Sequence, residues 1–319
     1  MRSLFVTATR IGDAVLSSGL LDYLLRQHPG ARITVAAGRL AVPLFLAVPG
    51  LERTIAIQKG RWKRHWLDLW RAAAGRRWDL VVDLRGSAIA YTLWTRRRLV
   101  LRPSKRPDEH RVAELGRLLG LDEPPAPRVW LSRAHRDAAA ALVPDGGPVL
   151  AIAPAANWRG KQWRAERFGA LAAHLTGAEG SLPGARVAVF AAEDERVQAA
   201  PLLEALDPAR CVDLVGAVDL PTAAACLERC ALFVGNDSGL MHLAAAAGTP
   251  TLGLFGPSRE TRYAPWGAST GVVRTPESFD ELTGAPGFDF KTTDTLMDGL
   301  TVEAVADAAN RLWQRVCSD

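Results

Sequence analysis

The sequence predicts two α/β domains, each built on a parallel β-sheet flanked by helices. Short apolar runs alternate with helical patterns along the first half, as in the segments SLFVTA, ARITVAAG and DLVVDL. The alternation restarts after the turn-rich segment VPDGGP at residues 143–148, with the runs VLAIAP, ARVAVFAA and ALFVGN. Such alternation is typical of parallel sheets with helices packed on their faces. With 319 residues, the chain is long enough for two domains of ordinary size.

Each element is assigned from its local pattern, since short apolar runs predict buried strands and the longer segments between them predict helices. The strands are completed by the runs RTIAIQ, CVDLVG and TPTLGLFG. The helices predicted in the first half are Asp13–Arg26, Leu40–Ala47, Arg61–Gly75 and Ala134–Leu142. Those predicted in the second half are Ala165–Thr176, a helix following from Asp194, Pro221–Arg229, Gly239–Ala247 and Thr301–Val316.

Composition excludes several classes of protein and divides the chain electrostatically. The chain is 48% hydrophobic and 23% charged, which excludes disordered and collagen-like chains. The net charge of +5 hides a strong asymmetry. Residues 1–148 hold 25 Lys and Arg against 13 Asp and Glu, a net charge of +12, whereas residues 149–319 hold 14 against 21, a net charge of −7. Two modules with different partners are therefore expected.

The N-terminal segment and the cysteines favour a cytoplasmic protein. The segment MRSLFVTATRIGD shows no secretory signal, and no apolar run is long enough for a membrane span. Four cysteines, all in the second half, do not suggest a disulfide framework. Cys226 and Cys230 stand four residues apart, which is not the spacing of a Cys-x-x-Cys site, so we expect reduced, buried thiols.

The loop Thr9–Asp13 follows the first strand and carries the first candidate for catalysis. Asp13 stands at or beside the start of the next helix, where it would face a ligand cleft. A helix-capping aspartate is the structural alternative. The loop lacks the G-x-G-x-x-G pattern, which disfavours a dinucleotide-binding domain.

Two loops of the second half carry charged residues after predicted strands. Lys161 lies in the small-residue loop 153–163, where it could pair with a phosphate or be a solvated surface lysine. Glu193 and Glu195 follow the next strand, where either could bind a ribose hydroxyl or interact with the helix dipole.

The segment Gly235–Ala245 is the most specific motif of the chain. A strand runs into Asp237 and Ser238, and a small-residue helix begins at Gly239. The backbone N–H groups of such a helix start form an anion site. His242 stands one turn into this helix on the same face as Ser238, which favours a binding role over a packed core histidine.

These motifs together resemble glycosyltransferase family 9, the bacterial lipopolysaccharide heptosyltransferases. The resemblance lies in Asp-Ser-Gly-x-x-His-Leu-Ala-Ala-Ala followed by Phe-Gly-Pro-Ser, in Ile11-Gly12-Asp13, and in the loop from Pro154 to Lys161. Ala155 departs from the pattern, because the family usually has glycine there. The motifs occur in the family's order across nearly the whole chain.

The resemblance implies a GT-B fold of two facing Rossmann-like domains. Residues 1–145 would bind the acceptor, residues 149–300 the nucleotide-sugar donor, and residues 301–319 would form a helix packing back on the first domain. The implied reaction is inverting transfer of a heptose from ADP-heptose to a lipid A–Kdo type acceptor in the lipopolysaccharide inner core.

The mechanism we expect assigns a role to each candidate residue. Asp13 is the catalytic base of a single displacement. The donor would be bound by Lys161, Glu193, Glu195, Asp237, Ser238, Gly239 and His242, with the choice between the two glutamates for the ribose left open. No Asp-x-Asp motif occurs in the sequence, so neither a metal nor another cofactor is expected.

The basic first half suits an anionic glycolipid on the inner face of the inner membrane. Candidate acceptor-binding residues are Arg10, Arg61, Arg64, Arg97 and Lys105. Trp62, Trp66 and Trp70 form one helical stripe, for which core packing is favoured over membrane insertion. No nucleic-acid motif accompanies the basic residues, and the oligomeric state is left undecided.

Three other classes remain as alternatives. A GT-B enzyme using another nucleotide-sugar, such as an epimerase, is disfavoured by the charge of +12 in the first half. A non-catalytic nucleotide-sugar binding protein is disfavoured by the joint presence of Asp13 and Lys161. A dinucleotide oxidoreductase is disfavoured by the missing glycine pattern.

Overall fold

The computed structural model describes residues 1–58, 64–102, 104, 106 and 108–318. The chain divides into two compact units, Met1–Ser132 and Arg133–Asp319. Two of the predicted acceptor-binding residues, Arg61 and Lys105, lie outside the described residues, as does Trp62.

The first unit contains a five-stranded sheet in which neighbouring strands are all parallel. The strand order is β3-β2-β1-β4-β5, with β1 in the centre. The strands are β1 (Arg2–Val6), β2 (Arg32–Gly38), β3 (Leu51–Ile57), β4 (Trp78–Asp83) and β5 (Thr95–Val100). The central strand is apolar and almost fully buried, as the run SLFVTA predicts.

Four helices accompany this sheet within the described residues. They are α1 (Ile11–Gln27), α2 (Arg64–Ala73), α3 (Ile89–Thr92) and α4 (Arg111–Arg117). Leu69 of α2 and Ile89 of α3 belong to one core cluster with Leu4 and Val81 of the sheet, so these two helices cover the same face.

Two elements of the first unit differ from the sequence prediction. The helix predicted at Leu40–Ala47 is only a short 3₁₀ helix at Val42–Phe45, since Pro49 and the left-handed Gly50 (φ +72°) soon turn the chain into β3. The run Thr95–Val100, in which the sequence indicates only the candidate acceptor-binding residue Arg97, forms β5, the edge strand. Its exposed arginines are typical of an edge strand that must avoid pairing with other chains.

The second unit contains a six-stranded parallel sheet of order β11-β10-β9-β6-β7-β8. Its strands are β6 (Val149–Ala153), β7 (Arg186–Val189), β8 (Cys211–Asp213), β9 (Leu232–Asn236), β10 (Thr251–Phe255) and β11 (Thr270–Arg274). The three central strands, β6, β9 and β10, are buried along their whole length, which explains their continuous apolar runs. The edge strand β11 was not predicted from the sequence.

The helices of the second unit are α5 (Arg133–Leu142), α6 (Ala165–Thr176), α7 (Arg196–Ala205), α8 (Leu220–Leu227), α9 (Gly239–Ala246), α10 (Glu260–Tyr263), α11 (Phe279–Gly284) and α12 (Val302–Ser318). The closing helix α12 packs on α6, β10 and β11 of its own unit. Its buried residues Val305, Ala309 and Leu312 belong to the core of that unit. The expected contact of this helix with the first domain stays a prediction.

The division between the units falls before α5, earlier than the turn-rich segment at residues 143–148 after which the strand and helix pattern restarts. Helix α5 packs on α8, and Arg229 donates hydrogen bonds to Val143 O and to Asp145 Oδ1, both at 2.5 Å. These contacts attach the residues around the turn segment to the second unit.

No helix in the described part of the chain has the length and apolar character needed to cross a membrane. All four cysteines are free thiols. Cys226 and Cys230 are buried free thiols, as expected. Burial raises the pKa of Cys226 to about 11 and that of Cys230 to about 12, which lowers the reactivity of both thiols. Cys317, by contrast, is exposed.

Candidate active site

The second sheet reverses its strand order between β6 and β9, and polar residues gather at this point. The chain runs from β6 outward to β7 and β8 and then returns to β9 on the other side. Ligands of doubly wound sheets bind at the carboxyl ends of the strands where the order reverses. Lys161, after β6, donates a hydrogen bond from Nζ to Asp237 Oδ2, after β9. The Asp237 side chain is only 6% exposed and that of Lys161 23%, so the structure brings these two predicted residues together in an enclosed ion pair.

Asn236, the last residue of β9, ties the same two loops together. Its Oδ1 accepts a hydrogen bond from Trp163 N at 3.1 Å, and its Nδ2 donates to Pro154 O at 2.7 Å. The side chain is fully buried. Because both ends of the loop between Pro154 and Trp163 are fixed to one amide, Lys161 is held at the sheet edge. The sequence analysis missed this positioning role.

The segment Asp294–Leu300, near the C-terminal end of the second unit, is hydrogen-bonded to the loop that carries Lys161. Leu296 N donates to Gly160 O at 3.0 Å, and Trp163 Nε1 donates to Leu300 O at 2.8 Å. Arg164 makes a two-pronged ion pair with Asp298, with both N–O distances 2.6 Å. These contacts join residues about 130 positions apart, and no motif in the sequence signalled them.

Helix α9 begins with a serine whose hydroxyl is not used for capping. Ser238 stands at the N-cap position in extended backbone conformation, but its side chain makes no capping hydrogen bond. Its Oγ is buried and has no hydrogen-bond partner among the described residues. Buried hydroxyls are normally bonded, so this one is available to a ligand. The first backbone N–H groups of α9, from Gly239 onward, lie beside it.

Ser258 repeats this pattern after the neighbouring strand β10. It is 6% exposed, and its Oγ is buried without a hydrogen-bond partner in the described part of the chain. Since β9 and β10 are neighbours, Ser238 and Ser258 stand after the carboxyl ends of adjacent strands. Ser258 is the last residue of the Phe-Gly-Pro-Ser motif and is not among the site residues predicted from the sequence.

The remaining donor candidates occupy different environments. His242 lies in α9, one turn after Ser238, and is 5% exposed. Glu195 Oε2 accepts a hydrogen bond from Ala192 N at 3.0 Å, so this carboxylate caps its own short 3₁₀ helix. The Glu193 side chain is 74% exposed and lies 3.8 Å from Arg196. Of these two carboxylates, the one of Glu195 is engaged by a backbone N–H, whereas that of Glu193 is largely exposed beside Arg196.

Asp13 lies in the first turn of α1, at the carboxyl edge of the first sheet. The N-cap of this helix is Arg10, and Asp13 makes no capping hydrogen bond, which excludes the capping alternative. The loop before it is fixed by a 2.6 Å hydrogen bond between the Thr7 and Ser17 hydroxyls. Gly38 permits the close approach of this loop, because a Cβ there would lie 2.5 Å from Thr9 Cα. Asp13 is thus partly exposed on a rigid support.

The described acceptor candidates do not converge on one point. Arg10, Arg64 and Arg97 are all exposed. Arg97 pairs in register with Leu80, midway along β4, so it stands away from the sheet edge that carries Asp13. Arg64 opens α2.

The tryptophan stripe of α2 divides between core and surface. Trp66 packs against the core cluster of the first unit, as the favoured interpretation predicts. Trp70 is 40% exposed. Trp94, which the sequence analysis did not consider, is 70% exposed, and the guanidinium of Arg77 lies over its ring at 5.4 Å.

No group of three or more His, Cys, Asp or Glu side chains suited to a metal ion occurs among the residues that the structure describes. The expectation that the protein uses no metal or other cofactor stays a prediction.

Two parallel α/β units with polar residues at their switch points are the architecture of the GT-B glycosyltransferases. Residues 83–282 match the family model described as Glycosyltransferase family 9 (heptosyltransferase). The match spans more than half of the chain, so this protein belongs to glycosyltransferase family 9 and is a glycosyltransferase, as its motifs predict.

Similar proteins agree with this assignment. Lipopolysaccharide heptosyltransferase 2 of Salmonella typhimurium is 25% identical over 311 residues, which cover 86% of this chain and 88% of the relative. Lipooligosaccharide heptosyltransferase 2 of Haemophilus influenzae is 23% identical over 317 residues, with the same coverage of 86% and 88%.

Solved structures confirm the predicted GT-B fold. The ADP-heptose lps heptosyltransferase II of E. coli has a TM-score of 0.75 at 21% identity, with 99% of both chains covered. The E. coli heptosyltransferase WaaC with ADP has a TM-score of 0.72 at 19% identity and covers 98% of this chain and 100% of its own.

Proposed function

We propose that this glycosyltransferase moves a heptose from ADP-heptose to an acceptor in the inner core of lipopolysaccharide. The observation that carries the proposal is the enclosed Lys161–Asp237 pair beside the start of α9, at the switch point of the second sheet. Relatives named as lipopolysaccharide heptosyltransferases over 86% of the chain support the choice of donor and acceptor.

The second unit binds the donor in this proposal. Lys161 and the N–H groups at Gly239 stabilise the diphosphate, because both supply positive electrostatic potential at an enclosed site. The hydroxyls of Ser238 and Ser258, which have no partner within the described residues, donate hydrogen bonds to the nucleotide-sugar. Asp237 and His242 hold the diphosphate or the sugar. Glu193 contacts the ribose, since Glu195 is already engaged by the backbone of Ala192.

Asp13 acts as general base in a single displacement that inverts the anomeric centre. Its carboxylate takes the proton from an acceptor hydroxyl as that oxygen bonds to the anomeric carbon of the heptose. The bond from this carbon to the ADP oxygen breaks at the same time, and ADP leaves with the electron pair. Lys161 and the start of α9 stabilise the charge that develops on ADP. No metal takes part, so addition of EDTA is expected to leave the rate unchanged.

The first unit binds an anionic glycolipid at the cytoplasmic face of the inner membrane. Residues 1–148 carry a net charge of +12, and each basic residue near an anionic surface contributes about 1 kcal/mol. Tyr91 and Trp94 are 55% and 70% exposed, and each lies beneath an arginine, Arg98 and Arg77 respectively. Aromatic rings flanked by arginines favour the membrane interface. Arg10, Arg64 and Arg97 add to this attraction.

The nucleotide specificity tests the donor assignment. The melting temperature of the purified protein is measured with ADP, UDP, GDP or NAD, since a ligand of the folded state raises it by mass action. We expect ADP to give the largest increase. A response to UDP alone would contradict ADP-heptose as donor while leaving the fold class intact.

A further inference from the structure

Arg85 stands at the switch point of the first sheet, although no sequence motif singled it out. The chain runs from β1 outward through β2 to β3 and then returns to β4 on the other side of β1. Arg85 follows β4 by two residues, and Leu84 N donates to Val6 O at 2.9 Å. Asp13 follows β1, so Arg85 and Asp13 extend from neighbouring strand ends at the point where doubly wound sheets bind ligands.

The turn that carries Arg85 is fixed by the buried carboxylate of Asp83. Asp83 is 1% exposed, and its oxygens accept hydrogen bonds from Arg85 N at 2.9 Å, Ser87 N at 2.9 Å and Ser87 Oγ at 2.5 Å. Gly86 has φ +61°, and a Cβ there would lie 2.7 Å from Leu101 O. The turn therefore has one tight conformation, and Asp83 is occupied by partners other than the guanidinium.

The guanidinium of Arg85 is supported but not neutralised. Its Cζ lies 4.7 Å from the ring centroid of Trp66, which itself packs on the core. Its Nη1 is buried and has no hydrogen-bond partner among the described residues. Burial lowers the pKa of Arg85, an effect that the charge of Asp83 offsets only in part.

A half-buried guanidinium without a bonded anion is energetically unfavourable unless a ligand completes it. Unsatisfied buried donors destabilise a protein, and charged donors do so most. A planar guanidinium resting on an aromatic face keeps its fork of N–H groups in one orientation. That fork matches a carboxylate or a phosphate, each of which accepts two parallel hydrogen bonds.

We propose that Arg85 is an acceptor-binding residue, whose guanidinium receives a carboxylate or phosphate group of the acceptor beside Asp13. This inference rests on the proposed function and adds a specificity-determining contact to it. Trp66 is its positioning residue, since its ring lies beneath the guanidinium and is itself packed against the core of the unit.

The test compares Arg85→Met with Arg32→Met in steady-state transfer assays with ADP-heptose and a heptose-free lipopolysaccharide acceptor. Arg32 is the control because it is an exposed arginine of the same unit that pairs with Glu52 and opens β2 at the opposite sheet edge. The Arg85→Met variant is expected to raise the acceptor KM by about tenfold or more, with kcat changed far less. The ADP affinity of Arg85→Met and the acceptor KM of Arg32→Met should each stay within about twofold of the wild-type value.

Arg85→Lys distinguishes a binding role from a structural one. Lysine keeps the charge but lacks the planar fork, so its acceptor KM should fall between those of the wild type and Arg85→Met. If the phosphate is the group recognised, the difference between wild type and Arg85→Met should vanish on a dephosphorylated acceptor; if the carboxylate is, the difference should persist. Both results support the proposal.

Two outcomes would overturn the inference, and they are distinguishable. If the wild type transfers heptose and Arg85→Met has an unchanged acceptor KM, then the role of Arg85 is wrong and the proposed function stands. If the wild type transfers no heptose to this acceptor, the proposed function itself fails, and the role of Arg85 fails with it.

Discussion

After the strands of the second sheet, Lys161 pairs with Asp237, and Asn236 joins the loop after β6 to the end of β9. After the strands of the first sheet, the side chains of Asp13 and Arg85 have no hydrogen-bond partner among the described residues. Both sets of residues follow strands at a switch point. In the proposed function, contacts within the protein therefore hold the charged residues of the donor side before a ligand binds, and the hydroxyls of Ser238 and Ser258 are left for the ligand. The proposed acceptor side presents the Asp13 carboxylate and the Arg85 guanidinium without such contacts.

This difference separates the chemical tasks of the two units. A diphosphate has the same charge and shape in every catalytic cycle, so a preorganised site binds it with little reorganisation. An acceptor must be oriented for attack and distinguished from other sugars, which requires contacts satisfied by the correct ligand alone. The comparison predicts that substitutions in the two units affect different kinetic parameters.

The largest effect is expected for Asp13→Asn. Loss of the general base should lower kcat by about 10²–10⁴-fold, because an amide cannot accept the proton. ADP affinity should change by less than about twofold, since Asp13 belongs to the other unit. Transfer rates and calorimetric titration with ADP measure the two quantities.

Asp22→Asn is the matched control, because Asp22 lies in the same helix but pairs with Arg26 and Arg128. It should retain normal transfer. Near-normal turnover by Asp13→Asn would refute the assignment of the base.

Lys161→Met is the corresponding substitution on the donor side. We expect ADP to bind about 10–100-fold more weakly, because an enclosed charge-assisted contact with the diphosphate is lost. The free energy of unfolding should also fall by about 1–3 kcal/mol, since Asp237 loses its partner at a buried position.

Arg159→Met serves as control for Lys161→Met, because Arg159 belongs to the same loop but pairs with Asp294 at the surface. Its ADP affinity should match that of the wild type. Equal ADP affinity in the wild type and Lys161→Met would remove Lys161 from the donor site.

The pair Glu193→Ala and Glu195→Ala separates a ligand contact from a capping contact. Glu193→Ala should weaken ADP binding by about three- to tenfold at unchanged melting temperature. Glu195→Ala should leave ADP binding intact and lower the free energy of unfolding by about 0.5–1 kcal/mol, because Ala192 N loses its acceptor. The reverse pattern would assign the ribose to Glu195.

The smallest effect on the free energy of unfolding is expected for Asp298→Asn, in the segment that contacts the Lys161 loop. The hydrogen bonds from Arg164 lower the pKa of Asp298. The stabilisation by this pair is therefore fully present at pH values above the ordinary aspartate pKa of about 4, and it is lost as the pH falls through the lowered pKa. Asp298→Asn should lower the free energy of unfolding at pH 7 by at most about 1 kcal/mol, since the pair is largely exposed.

The contribution of this pair should decrease in acid. Denaturant unfolding of wild type and Asp298→Asn at pH 7 and pH 3 measures the difference between the two proteins. A difference that grows at pH 3 would contradict the expected sign.

The sequence predicted both sheets because buried strands are local features, and the roles of the residues that follow those strands stay predictions. Buried parallel strands are continuous apolar runs, and Asp13, Lys161 and Asp237 directly follow such runs within short loops. The edge strands β5 and β11 were not predicted, because their residues are polar or only partly buried. Neither an alternation of apolar and polar residues nor a continuous apolar run therefore distinguishes these segments from loops.

Contacts between distant residues could not be predicted from one sequence. Asn236 and Asp298 acquire their roles through residues of other loops, and Arg85 through Trp66 and the neighbouring strand β1. The proposal of Glu193 rather than Glu195 for the ribose also rests on coordinates, because both stand at the same helix start and only the structure shows that the backbone of Ala192 engages Glu195.

Direct transfer by the purified protein is the most decisive measurement. The protein is incubated with ADP-heptose and a heptose-free inner-core lipopolysaccharide, and the products are analysed by mass spectrometry. We predict an acceptor heavier by one heptose residue, one ADP released for each transfer, and formation of both products about 10²–10⁴-fold more slowly by Asp13→Asn. Release of ADP without any gain in acceptor mass, or no reaction despite bound ADP, would contradict the account.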